Sequence, residues 1–268
     1  VAIDLSPYQC VLLDLDGTIY HEETALPGAM ALLRRLKADN KPFACLSNST
    51  ASPLRISQRI ERMGVFVEPD RIYTAAAASC DYVLEQQRQV DPSRKPRVFN
   101  LSTESVHEML DGLVTWVADP GEPCDAVIVG TPTGVFATDD RQRVAMYLLR
   151  RGAKLVGICA DRVYPSPRGL EFGAGALSSM LAYASNTTPV FCGKPETIFF
   201  QELCRRLQVD PGWCLLVGDN LEADVIGAKQ VGMRTILTLT GVTRRRDLLA
   251  VPAEQQPDLV VEDLTELL

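Results

Sequence analysis

Apolar and polar positions recur on two different periods along this chain, and the two periods take turns. Continuous apolar runs of the length that fills a buried strand occupy residues 10–13, 43–46, 97–101, 126–129, 154–158, 213–217, 235–239 and 259–261. Between them the apolar positions fall at helical spacing. Ala29, Leu32, Leu33 and Leu36 sit at i, i+3, i+4 and i+7, one buried face, and Pro27 is well placed as a first helical residue. Similar patterns cover residues 53–63, 75–88, 139–151, 174–184, 196–207 and 221–231. Strand and helix in alternation predict an α/β fold, a doubly wound parallel sheet with helices on both faces.

Ligands of such sheets collect at the carboxyl ends of the strands, so the informative residues are the polar ones that terminate apolar runs. Four places qualify. The run "VLLDLDGTIY" ends in Asp14 and Asp16 and passes into Gly17 and Thr18; the second run ends in Ser47-Asn48; "FCGKPE" delivers Lys194; and "LLVGDNLEAD" ends in Gly218-Asp219-Asn220, with Asp224 in the first turns of a helix. Two like charges about 4 Å apart repel by roughly 4 kcal/mol at an effective dielectric near 20. Asp14, Asp16 and Asp219 at one rim therefore call for a cation. Hard carboxylate oxygens with room for water suit Mg²⁺, and Lys194 adds a point charge without ligating it. Gly17 and the flanking amides, that of Leu15 included, can approach a phosphate closely because Gly has no Cβ.

Composition narrows the partners. With 268 residues, 46% hydrophobic, the chain can bury one large core or two modest ones. Its net charge of −7 gives no footprint for nucleic acid, and Arg244-Arg245-Arg246 reads as a short solvated loop. No apolar run approaches a membrane span and no secretory leader pattern is present, so a cytoplasmic protein is expected. The eight cysteines form no CxxC pair, and Cys10, Cys45, Cys159, Cys192 and Cys214 lie in or beside apolar runs as small reduced hydrophobes. His21 and His107 are too few and too scattered for a histidine metal site.

Taken in order, Asp14-x-Asp16-Gly-Thr18, Ser47-Asn48, Gly193-Lys194-Pro195 and Gly218-Asp219-Asn220-Leu221-x-x-Asp224 resemble the motifs of the haloacid dehalogenase-like phosphatases, and within them the NagD-like subfamily with a type IIA cap. The resemblance spans nearly the whole chain. It implies that Asp14 is a nucleophile forming a phosphoaspartyl intermediate and that Asp16 is the general acid and then base. It implies Mg²⁺ held by Asp14, the main-chain carbonyl of Asp16, and Asp219, with Asn220 and Asp224 behind them. Ser47, the Asn48 amide and Lys194 would contact the phosphoryl group, Lys194 also orienting Asp14.

About 145 residues separate the Ser47 and Lys194 motifs, too many for a connection, so a second domain is expected there. The resemblance puts a catalytic core at residues 1–77 and 186–268 and the cap at 78–185. In the cap segment "CADRVYPSPRGLEFGAGA", Asp161 matches an acidic position of the family, with Tyr164, Arg168 and Glu171 as further substrate contacts. The chain departs from its relatives at Ile158 and Cys159, where a Thr-Asn pair is common, and at Phe172, where proline is. The implied function is a Mg²⁺-dependent phosphatase of small metabolites, such as nucleotide monophosphates, phosphoglycolate, sugar, glycerol or aryl phosphates, in a protein that could assemble as a homo-oligomer through the cap. A phosphotransferase or mutase would use the same aspartate, and a non-catalytic interaction protein would have lost a core carboxylate; none is missing.

Overall fold

In the computed structural model, which describes residues 3–166 and 169–268, the chain divides into two compact units. The first comprises Val1–Ser47, Pro53–Tyr73 and Lys194–Leu268; the second comprises Asn48–Ser52 and Thr74–Gly193.

The first unit is built on a six-stranded sheet in the order Leu259–Val261, Arg234–Thr238, Cys214–Gly218, Cys10–Asp14, Phe43–Ser47, Ile72–Thr74. The strand Cys10–Asp14 runs parallel to both neighbours, with Cys10 opposite Cys214 and Asp14 opposite Leu46. Every residue of these three central strands is buried, as expected where helices cover both faces of a parallel sheet. The chain begins in the middle, winds outward on one side, then resumes at Cys214–Gly218 on the other. Asp14 and Asp219 therefore come to the carboxyl ends of adjacent strands at the point where the winding reverses, where α/β sheets open a crevice.

Local sequence accounts for most elements. The helix Ala29–Ala38 buries Ala29, Leu32, Leu33 and Leu36, all four positions of the expected face. It starts two residues after Pro27, which lies in the preceding turn. Gly28 ends that turn at φ 78°, and a Cβ there would stand 2.4 Å from the Thr265 amide nitrogen, so both the backbone angle and the space demand glycine.

The second unit carries a five-stranded sheet in the order Val190–Phe191, Lys154–Gly157, Ala126–Val129, Arg97–Leu101, Thr115–Trp116, parallel at every pairing. Phe99, Leu101, Val127, Val129 and Leu155 pack there against Ala145, Leu148, Leu149 and Leu181 from two helices, Asp139–Arg150 and Ala174–Ser185. An antiparallel hairpin, Val163–Ser166 with Gly169–Phe172, leaves Val163, Tyr164, Leu170 and Phe172 exposed.

Some elements differ from expectation. The helix Glu104–Leu110 and the strands Ile72–Thr74, Thr115–Trp116 and Val190–Phe191 are too short for a period to emerge. The strand expected from 213 starts at Cys214, because Asp210 caps a turn over Pro211–Trp213, and the strand expected over 235–239 is Arg234–Thr238. In place of one helix over 221–231 stands a wide π-type turn, Leu221–Ile226, followed by one short helical turn, Gly227–Lys229. The Asn220 side chain accepts from the Glu222 and Ala223 amides at its start, and turns of this kind recur at functional sites. Among the described residues, no helix is long and apolar enough to cross a membrane.

In the second unit Asp125 takes Arg94 at 2.7 Å and Arg97 at 2.8 Å and also accepts from the Arg97 amide. Burial works against its charge, but the hydrogen bonds from Arg97 and Arg94 outweigh that and hold the carboxyl well below the usual carboxylate range. A carboxyl depressed in the folded state stabilises fully above its unfolded value, about pH 4, and loses that contribution as pH falls below it. Asp125→Ala should lower the unfolding free energy by about 1 to 2 kcal/mol at neutral pH, since the side chain is partly screened by solvent. Denaturant titrations should show the gap from the native protein closing as pH drops towards 2; a gap independent of pH would count against the ion network.

Candidate active site

The strand ends bring together residues far apart in sequence. Asp14 closes its strand, Ser47 closes the neighbouring one beside it, and Asp219 follows Gly218 on the other side. Lys194 joins them from the start of the returning chain. Its ammonium donates to Oδ1 of Asp14 and to Oδ1 of Asp224, each at 2.5 Å. All four of these charged side chains are buried: Asp14 is 5% exposed, Lys194 4%, Asp219 3% and Asp224 0%.

One ammonium among three buried carboxylates leaves an excess of negative charge, and the proton affinities record it. Burial pushes the Asp14 carboxyl up to about 7 against the pull of Lys194, with Asp219 and Asp16 adding to the rise. Burial likewise raises Asp224 to about 6, helped by Asp14, and raises Asp219, helped by Asp224. Lys194 keeps its proton firmly: burial opposes the charge, but Asp14 and Asp224 more than offset it. One oxygen from each of Asp14, Asp219 and Asp224 lies within 4.8 Å of the others, so the donor set is hard and all-oxygen and fits a small divalent cation. All three carboxylates are met at both oxygens, Asp224 by Lys194 and, at 3.1 Å, by the Asn220 amide.

The turn after Asp14 has a different logic from the one expected. The Gly17 amide donates to the Tyr20 carbonyl at 2.8 Å instead of facing outward, and the Leu15 carbonyl accepts from Thr18, Ile19 and Tyr20. Gly17 is needed because Asp219 packs against it: at φ 85°, a Cβ would stand 2.6 Å from Asp219 Oδ2. The Thr18 hydroxyl donates to Asp14 Oδ2 at 3.2 Å. Asp16 opens to solvent, though the protein packed around its carboxyl raises its proton affinity against Arg59, Lys194 and His21.

Sequence reasoning missed the loop at 240–243. The Val242 amide donates to Asp219 Oδ2 at 2.7 Å, the Thr240 hydroxyl donates to the Gly17 carbonyl at 2.6 Å, and Thr243 Oγ1 accepts from the Leu221 amide at 2.8 Å. A Cβ on Gly241 would lie 1.9 Å from Asp219 Oδ2. The signal was present, since Thr240-Gly241 also follows a strand end. Arg59 was missed too; its guanidinium lies 5.6 Å from the Tyr20 ring centre.

The remaining predicted residues belong to the second unit. Within it, a Cβ on Gly193 would approach Asn48 Oδ1 to 2.7 Å. Asp161 is exposed and accepts from the Cys159 thiol at 3.1 Å, so the departure at Cys159 supplies a partner for the acidic residue that follows it. Tyr164 and Glu171 are paired across the hairpin, Ile158 is buried and Phe172 is exposed; Arg168 lies outside the described residues. All eight cysteines are free thiols.

Comparison with known proteins gives the family. A profile described as haloacid dehalogenase-like hydrolase matches residues 11–113, and a second, HAD-hydrolase-like, matches 191–267. The chain is 30% identical over 247 residues to an acid sugar phosphatase of Staphylococcus aureus, covering 91% of each chain. It is 27% identical over 263 residues to the 5'-nucleotidase YutF of Bacillus subtilis, covering 98% of each. The crystal structure of a 4-nitrophenylphosphatase from Thermotoga maritima superposes with a TM-score of 0.84 at 28% identity, covering 98% of this chain and 97% of that one. The chain belongs to the haloacid dehalogenase-like hydrolases, as a NagD-like member, and is an enzyme.

The site's charge balance makes a measurable demand on folding. Carboxyls raised in the folded state bind protons more tightly folded than unfolded, so the metal-free chain loses stability as pH climbs from about 4 to 7. Lys194→Met removes the counter-charge. In chelator it should cost about 3 to 5 kcal/mol near pH 8, with a deficit that shrinks towards pH 5 as Asp14 and Asp224 take up protons. Urea unfolding at the two pH values measures it, and equal deficits would contradict the assignment.

Proposed function

We propose that the protein is a Mg²⁺-dependent phosphatase that hydrolyses phosphomonoesters of small metabolites through a phosphoaspartyl intermediate. The observation that carries this reading is the Lys194-bridged carboxylate cluster at the strand ends, with Asp14 held at both oxygens by Lys194 and Thr18. The names of the relatives, a nucleotidase, a sugar phosphatase and a nitrophenylphosphatase, support a phosphoryl centre combined with varied leaving groups.

In the proposed chemistry an oxygen of Asp14 attacks phosphorus and the ester P–O bond breaks. Asp16 gives its proton to the departing alkoxide. Its raised proton affinity suits an acid that must hold a proton at the start. Asp16, now a carboxylate, then takes a proton from the water that attacks the phosphoaspartate, which releases phosphate and restores Asp14. Lys194 fixes the rotamer of Asp14 and offsets negative charge on the phosphoryl oxygens, and Ser47 and Asn48 would bind those oxygens. Mg²⁺, held by Asp14, the Asp16 carbonyl and Asp219 with Asp224 behind, supplies further neutralisation of the phosphate when bound. The 240–243 loop acts earlier, by fixing Asp219 against Gly17.

The second unit is read as the type IIA cap, whose part would be the choice of leaving group, with Asp161, Tyr164, Arg168 and Glu171 as its contacts. Asp161→Ala should then change kcat/KM for the best metabolite far more than for a small aryl phosphate, which offers a cap little to hold.

Phosphate release across a panel of phosphorylated metabolites tests the whole reading. Chelation should silence release and Mg²⁺ restore it. Asp14→Asn should abolish both turnover and the trapped phosphoenzyme while leaving the fold intact, because an amide of nearly the same shape is a very poor nucleophile. Near-normal turnover by this variant would remove the covalent route.

A further inference from the structure

The first unit gathers three of the eight thiols at the end of its sheet opposite the carboxylate cluster. Cys10 and Cys214 open adjacent parallel strands and stand directly opposite one another. Cys204 comes to them from the helix Thr197–Leu207, and its Sγ lies 4.0 Å from that of Cys214. All three are buried.

A free cysteine in a core packs as a small hydrophobe, but the surroundings of Cys204 and Cys214 go beyond packing. The two thiols are polarised against each other. The hydrogen bond from Cys214 holds the Cys204 thiol below its usual value against burial, and the same bond together with burial pushes Cys214 well up. Cys214 Sγ also lies 3.6 Å from the Asp210 carbonyl oxygen, so its proton has two acceptors in reach. The segment that joins the pair is short and runs at the surface. The helix closes on Gln208 at φ 55°, a turn over Pro211–Trp213 follows, and Trp213 is 55% exposed. Such a segment can give by the roughly 2 Å that separates sulfurs in contact from a bond of about 2 Å. A cavity of about 730 Å³ opens beside it, lined by Cys10, Leu203, Leu207 and Val209, so a small solute reaches the residues that flank Cys204.

The pair also joins two elements that matter. The helix Thr197–Leu207 begins three residues after Lys194, and the strand Cys214–Gly218 ends one residue before Asp219. We propose that Cys204 and Cys214 are a thiol–disulfide site, closed by an oxidant of the hydroperoxide class into a bond that clamps the helix following Lys194 to the strand leading to Asp219. The proposal is independent of the catalytic reading.

With hydrogen peroxide, the Cys204 sulfur attacks as thiolate on one peroxide oxygen and the O–O bond breaks. The departing hydroxide takes up the proton that Cys204 released and becomes water, leaving a sulfenic acid. The Cys214 sulfur then attacks the Cys204 sulfur, the S–O bond breaks, and hydroxide leaves with the Cys214 proton as a second water. Two thiols lose two electrons and two hydrogens, and the peroxide is reduced to two waters. Closing the ring from Cys204 to Cys214 restricts the unfolded chain, so the effect falls on stability.

Hydrogen peroxide added to the reduced, folded full chain in chelator tests this, with the remaining thiols then blocked and the chain digested. Trypsin cuts after Arg205 and Arg206, so the bond would join two separate peptides. The linked pair should appear with the loss of two hydrogens, should separate on reduction, and should raise Tm by roughly 5 °C. Cys204→Ser and Cys214→Ala, each with an unchanged circular dichroism spectrum, should give neither the pair nor the rise. The peptide map of the native chain decides the matter without either variant. Absence of the pair, its formation only in urea, a bond to Cys10 in its place, or a linked chain with unchanged Tm would overturn the proposal.

Discussion

Three carboxylates buried around one ammonium are the constraint on which the site depends. Taking Asp14, Asp219 and Asp224 out of water is costly, and the Lys194 contacts offset only part of that cost. The fold tolerates the cluster because a parallel sheet concentrates strand ends at one rim, and because the winding reverses between the strands that end at Asp14 and Gly218. Neighbouring details follow from holding this charge in place. Gly17 and Gly241 are bare so that the Asp219 carboxylate can lie between them, and the Val242 amide meets one of its oxygens. The Asn220 amide does the same for Asp224. A cluster so organised and still short of positive charge is built for a cation and for an anionic substrate that arrives with it.

The same electrostatics distinguishes the two ends of the first unit's sheet. At the carboxyl ends the excess charge is negative, buried and bridged by one lysine. At the opposite ends Lys37, Lys41, Arg71 and Arg206 stand on helix termini and on the segments entering the strands, together with Glu68 and Asp70.

Much of this was legible in the sequence because long apolar runs and i, i+3, i+4, i+7 faces admit few structures. The strands Arg97–Leu101, Ala126–Val129 and Leu259–Val261 stand at their expected bounds, and the helix Ala29–Ala38 buries the expected face. The short strands Ile72–Thr74, Thr115–Trp116 and Val190–Phe191 escaped because their pairing depends on a neighbour, not on a local period. The wide turn at Leu221–Ile226 escaped because a helical pattern cannot reveal that Asp224 must turn inward to meet Lys194. In the site, the charged residues could be read as strand-end signals. Thr240-Gly241 carried the same strand-end signal, but the partners of 240–243 could not be read, since they depend on main-chain groups of distant segments and on space left by glycine. Gly17 was expected for its missing Cβ, and Asp219 packs into the space that leaves.

The central claim is that this carboxylate cluster, its proton affinities raised by burial, exchanges protons for a divalent cation. Calorimetric titration of Mg²⁺ into the chelator-stripped protein at pH 7, repeated in two buffers of different ionisation enthalpy, tests this directly. Saturable uptake of one ion per chain should be accompanied by net proton release, as Asp14 gives up the proton that burial favours. Asp219→Asn should abolish both. Uptake without proton release, or uptake indifferent to Asp219→Asn, would contradict the account.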